Sequence, residues 1–120
     1  MYAAASLFDV ETEAGTMVVT PQASWFGVHG AAESEAAALL QRLEAETPSR
    51  ILLDLGQTRD CDSSALGFCT QLWKQVRGRG GRIALCNLSD SERQMLQVTK
   101  LDRLWPIYAS RREALAALRK

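Results

Sequence analysis

Two segments, Ile51-Leu52-Leu53-Asp54-Leu55 and Arg82-Ile83-Ala84-Leu85-Cys86, are almost unbroken apolar runs, the pattern of strands covered on both faces. Between them Leu66, Cys69, Leu72, Trp73 and Val76 recur at spacings of three and four, which predicts a helix with one apolar face. Gly78-Arg79-Gly80-Gly81 then supplies the residues that tolerate positive φ at a helix end. Two buried strands joined through a helix lie parallel, with a right-handed crossover.

The flanks extend this unit. Leu7–Glu11 and Thr16–Thr20 read as two short strands around an Ala14-Gly15 turn, a hairpin. Pro21 ends the second strand, and Gln22–Gly30, which holds Trp25, Phe26 and the only histidine, His29, has no periodicity and reads as a loop. Ala32, Ala36, Leu39, Leu40 and Leu43 form a helical stripe over Ala31–Glu46 that Thr47-Pro48 closes. Ser89-Asp90-Ser91-Glu92 and Ser110-Arg111-Arg112-Glu113 match the capping box and each predict a helix start. Between them Leu104–Tyr108 predicts a short strand, placed at an edge by Pro106. The order predicts an α/β fold with a mixed, mostly parallel five-stranded sheet and about four helices, as a single domain over residues 1–120.

Composition narrows the function. Lys and Arg equal Asp and Glu at 14 each, so no net field draws the chain to nucleic acid or to an anionic membrane. The opening Met1–Asp9 lacks a basic leader, and no apolar run approaches the ~20 residues that span a bilayer; the chain reads as cytoplasmic. Cys61, Cys69 and Cys86 lack C-x-x-C spacing and read as reduced thiols, Cys69 and Cys86 in the core.

The chemistry concentrates in Cys61-Asp62-Ser63-Ser64-Ala65-Leu66-Gly67. Asp62 suits a helix N-cap, which leaves Ser63 and Ser64 in the first turn at the positive end of the helix dipole. The run lacks the G-x-S-x-G of a nucleophile elbow and no histidine stands near it in sequence, so catalytic residues are not expected. Asp54, Asp60 and Asp62 lie close in sequence, but turn and cap roles account for two of them, and no metal is expected. The glycines at 78–81 follow a helix rather than a strand, which argues against a phosphate cradle, although Arg77, Arg79 and Arg82 make that corner basic. Two hydroxyls at an exposed helix start suit phosphorylation, which adds roughly −1.5 to −2 charges.

The residues Asp54-Leu55, Asp62-Ser63-Ser64-Ala65-Leu66-Gly67, Gly80-Gly81 and Leu85-Cys86-Asn87-Leu88 together resemble a STAS domain, the domain of sulfate transporters and anti-sigma-factor antagonists. Val98-Thr99-Lys100-Leu101-Asp102 is similar to the family's l-x-x-t-g-L-D segment, and Ser110–Leu115 to its last helix, so the likeness spans about Arg50–Leu118. It implies a protein-binding regulatory module, not an enzyme and with no cofactor of its own. The expected partner is an anti-sigma factor serine kinase, with self-association as a second kind of contact and with neither nucleic acid nor membrane bound directly. It also implies that Ser64 is phosphorylated, and that Asp62, Ser63, Ala65, Leu66 and Gly67 form the switch loop and partner surface. The alternative is a non-phosphorylated STAS scaffold subunit in a transporter or stress-signalling complex. The chain departs from the family at Ala65, where members usually carry Gly. It departs again in Gln22–Gly30, where Trp25 and Phe26 replace a Gly-x-x-Asp turn.

Overall fold

A computed structural model describes residues 8–22, 31–58 and 63–119, with the backbone alone for 31–36 and 63–66. The elements follow the expected order: β1 (Phe8–Glu13), β2 (Thr16–Pro21), α1 (Ala31–Glu46), β3 (Arg50–Asp54), α2 (Ser63–Arg77), β4 (Arg82–Cys86), α3 (Asp90–Val98), β5 (Ile107–Tyr108) and α4 (Arg111–Leu118). The five strands form one sheet in the order β1-β2-β3-β4-β5. Only β1 and β2 pair antiparallel, with Glu13 opposite Thr16; the other neighbours are parallel. Ala14 and Gly15 both take positive φ, 52° and 79°, as a tight two-residue hairpin requires.

Both faces of the central strands are covered, which explains why their sequence does not alternate. Met17, Val19, Ile51, Leu53, Ile83 and Leu85 face a core built with Leu39 and Leu43 of α1, Phe68, Leu72 and Val76 of α2, and Leu96 of α3. Val18, Leu52, Ala84 and Cys86 face Ala114, Leu115 and Leu118 of α4. Successive right-handed crossovers moving the same way across a sheet place their helices on one side. The chain therefore puts α2 and α3 together and leaves α4 to cover the other face. Cys69 and Cys86 are both in these cores, as expected; Cys61 and His29 lie outside the described residues.

Strand ends differ from the sequence reading. β1 continues to Glu13, with Leu7 outside the described residues, and β2 includes Pro21. β3 starts at Arg50 and stops at Asp54, although Leu55 stays buried and its N–H donates to Cys86 O at 3.0 Å. The largest correction is at β5, which is two residues rather than Leu104–Tyr108. Leu101–Arg103 form a 3₁₀ turn, and the Leu104 and Trp105 N–H groups both donate to Leu101 O, at 2.9 and 3.1 Å. Local bonding thus uses backbone groups a strand would need, and Trp105 instead enters the core. Pro106 does precede an edge strand, and its carbonyl accepts from Leu85 N at 2.9 Å.

The glycine-rich corner after α2 behaves as a helix end. Gly80 takes φ 75°, and Gly81 N donates back to Val76 O at 2.9 Å. A Cβ on Gly81 would stand 2.8 Å from Ser49 O, so the residue lets the loop press against the entry to β3. Lys100 adopts φ 63°, at the position where the resembled segment has glycine. Left-handed backbone costs a non-glycine residue about 1–2 kcal/mol, and glycine returns about 0.5–1 kcal/mol of that through the unfolded chain. Lys100→Gly is therefore expected to raise unfolding free energy by about 0.5–1 kcal/mol, seen as a higher urea midpoint at unchanged slope.

Candidate switch and docking site

Because β2 to β5 run parallel, every strand-to-helix junction after them opens on the same edge of the sheet, where α/β domains place their sites. Of the four helix starts at that edge, three carry serines: Ser63 of α2, Ser89 before α3 and Ser110 before α4. Ser89 forms a complete capping box: Glu92 N donates to its Oγ at 3.1 Å, and Ser89 N donates to Glu92 Oε1 at 2.8 Å. At Ser110 only the first arm forms, with Glu113 N donating to its Oγ at 3.2 Å.

Asp54, the last residue of β3, organises this edge. Its Oδ1 accepts from Gly56 N at 2.9 Å and from Asn87 Nδ2 at 3.0 Å, and its Oδ2 accepts from Arg111 Nε at 2.8 Å. Burial opposes the charged carboxylate, but the hydrogen bonds from Asn87, Gly56 and Arg111 together hold its pKa below the ordinary carboxylate value. Arg111 spans the sheet: its other nitrogens donate to Glu11 Oε1 (2.6 Å), Glu13 Oε2 (3.2 Å) and Thr20 Oγ1 (3.2 Å). Burial disfavours its charge, yet these acceptors push its pKa up. Cys86 lies beside Asp54, and burial first, then that negative charge, pushes its thiol up to about 12. It is a core thiol rather than a nucleophile.

A second tie fixes the chain on its way to the serines. Thr58 is buried; its hydroxyl meets Leu55 O at 3.0 Å and Glu92 Oε2. Glu92 is only 1% exposed. The loop leaving β3 is thereby fastened to the cap of α3.

Of the residues singled out in the sequence, Asp62 lies outside the described residues, as does Asp60. Ser63, Ser64, Ala65 and Leu66 occupy the first positions of α2, and Gly67 follows on its exposed side, where a Cβ would meet nothing within 4 Å among the described residues beyond the adjoining helix. Phe68 and Cys69, next in sequence, are buried, and the Phe68 ring lies 5.2 Å from that of Phe8 on β1. Asp54 serves the Arg111 network. Among the described residues no three His, Cys, Asp or Glu side chains gather as metal ligands. Sequence reasoning missed Thr58 altogether, and it met Asn87 and Arg111 only as members of longer motifs, not as partners of Asp54. It found Glu92 only as a cap.

With this geometry in view, the profile of the STAS domain family matches residues 8–114. The chain belongs to the STAS domain family. An anti-sigma F factor antagonist of Paenibacillus polymyxa is 30% identical over 79 residues, covering 66% of this chain and 65% of that protein. The relatives of this kind are matched over 59% to 65% of their own lengths. A STAS domain protein of Planctomyces limnophilus superimposes with a TM-score of 0.83 at 29% identity, over 94% of this chain and 98% of the other. SpoIIAA, an anti-sigma factor antagonist, shares the fold in its unphosphorylated form (TM-score 0.77, 22% identity, 93% of this chain and 96% of that one). It does so too in its phosphorylated form from Bacillus (0.66, 20%, 92% and 97%). The domain is thus similar to STAS domains of proteins named as anti-sigma factor antagonists. Among its described residues no helix is long and apolar enough to cross a membrane.

Proposed function

We propose that this STAS domain is a phosphorylation-controlled binding module of the cytoplasm whose partner is an anti-sigma factor serine kinase. Gly67 carries the docking part of the reading. A glycine inside a helix costs about 1 kcal/mol relative to alanine, and among the described residues no other part of the chain comes close enough to need the missing Cβ. Bare backbone on the solvent side suits close approach by a second protein. Positions 63 and 64 stand four and three residues before it, on the same side of the helix, so a group attached at Ser64 borders that surface.

Phosphorylation gives the control. The Ser64 hydroxyl attacks the γ-phosphorus of the kinase's ATP; the hydroxyl proton passes to a base on the kinase and ADP leaves. Asp62, Ser63, Ala65 and Leu66 complete the docking segment with Gly67. That SpoIIAA is known in phosphorylated and unphosphorylated forms supports the reading. The test is incubation with the anti-sigma kinases of the same organism and ATP, followed by mass spectrometry. One added phosphate at Ser64, absent from Ser64→Ala, is the expected result; transfer to no residue, or to another residue only, overturns it.

A further inference from the structure

The basic corner that the switch does not use borders an open cleft of about 210 Å³ at the other end of α2. Its lining is Trp73 and Val76 of α2, Ile83 of β4, Leu104 and Pro106 ahead of β5, with the cations Arg77 and Arg82. The Arg77 guanidinium carbon stands 5.0 Å from the Trp73 ring centroid, close enough for cation–π attraction to hold it over the indole. Arg82 Nη1 donates to Leu118 O at 3.3 Å, the one side-chain hydrogen bond it makes among the described residues. Neither arginine is ion-paired among the described residues, and no carboxylate lines the cleft. Leu104, 48% exposed, is one of two large apolar side chains that solvent reaches to this degree among the described residues.

We infer that this cleft docks an acidic, apolar segment of a partner protein, with an aliphatic side chain on the Val76, Ile83, Leu104 and Pro106 floor and a carboxylate on Arg77 and Arg82. Charge complementarity selects this occupant. Two guanidinium groups with no carboxylate beside them among the described lining residues match one or two carboxylates through paired N–H donors. They fall short of the 4–8 clustered cations that mark a lipid headgroup surface and of the 6–10 phosphate contacts typical of nucleic-acid binders. The volume lies below the roughly 300–1,000 Å³ usual for small-molecule sites, so the cleft suits side chains of a segment rather than a whole cofactor. Trp73 and Arg77 on α2 stand 9 and 13 positions after Ser64, so this surface begins about 14 Å from that serine along the helix and extends to about 20 Å. A protein docked here leaves Ser64 accessible, and the domain can hold two partners at once.

The test follows the Trp73 indole N–H in nitrogen-15 NMR spectra of the full chain, its signal assigned with Trp73→Phe. The probes are a short peptide alternating leucine with aspartate, its leucine–lysine counterpart, phosphatidylglycerol vesicles and a single-stranded oligonucleotide. The leucine–aspartate peptide is expected to shift this signal saturably. Arg77→Glu, at an exposed position whose described contact is with Trp73, is expected to weaken binding about tenfold or more, while Ser64→Asp leaves it unchanged and so separates this surface from the switch. No saturable shift, an equal response to the leucine–lysine peptide, or a response confined to vesicles or oligonucleotide overturns the inference.

Discussion

Asp54→Ala is expected to lower unfolding free energy by about 3 kcal/mol, read as a urea midpoint lower by roughly 1.5 M at ordinary slopes. The substitution removes the acceptor shared by Gly56 N, Asn87 Nδ2 and Arg111 Nε. Breaking one side of a buried pair costs about 3–5 kcal/mol. The lower end applies because the Arg111 side chain is 30% exposed and keeps Glu11 and Glu13 as partners. Arg111→Met removes the other side and leaves the carboxylate buried. The double variant is expected to lose clearly less than the sum of the two single losses, since both break one interaction. Additive losses would mean that the two side chains act separately.

The same group sets an acid limit. The carboxyl of Asp54 is lowered in the folded state from an ordinary value of 3.8, so the folded protein holds its proton less tightly than the unfolded chain does. Its stabilisation is complete above the unfolded value and is lost as pH falls through the lowered folded value. Wild-type stability should decline below about pH 4–5 more steeply than that of Asp54→Asn, which carries no charge to titrate.

The sequence patterns that held were those in which a local rule and the tertiary environment agree. Continuous apolar runs marked β3 and β4 because helices cover both faces of the sheet there. The capping box at Ser89 marked the start of α3 because its bonds are contained in four residues. Leu104–Tyr108 misled for the converse reason: its apolar residues serve a turn and the core, and Leu101 O captures N–H groups that a longer strand would have used. The network behind the site was hidden by distance along the chain. Asp54 and Arg111 are 57 positions apart, and Arg111 sits within a capping signature that explains its neighbours without it. Glu92 shows how a correct local role can hide another. As a cap it needs no burial, and only the approach of Thr58 makes it a buried link to the loop before the serines.

On the proposed reading, Ser64→Asp lowers affinity for the anti-sigma kinase by on the order of 100-fold, whereas Ser64→Ala binds as wild type does. A carboxylate at the start of α2 is favoured in the free protein by the helix dipole, worth about 0.3–1 kcal/mol, so the variant should fold at least as stably as wild type. Docking then strips water from that charge without offering it a counter-charge. A cost of several kcal/mol is usual for such a mismatch, and each 1.4 kcal/mol is about tenfold in Kd. Gly67→Ala separates docking from folding by sign. It is expected to gain up to about 1 kcal/mol of stability, because its Cβ would meet nothing within 4 Å among the described residues beyond its own stretch of helix, and to bind the kinase more weakly because that Cβ enters the contact. Calorimetric titration of the three variants checks both effects. Unchanged affinity in Ser64→Asp and Gly67→Ala would remove the first two turns of α2 from the interface.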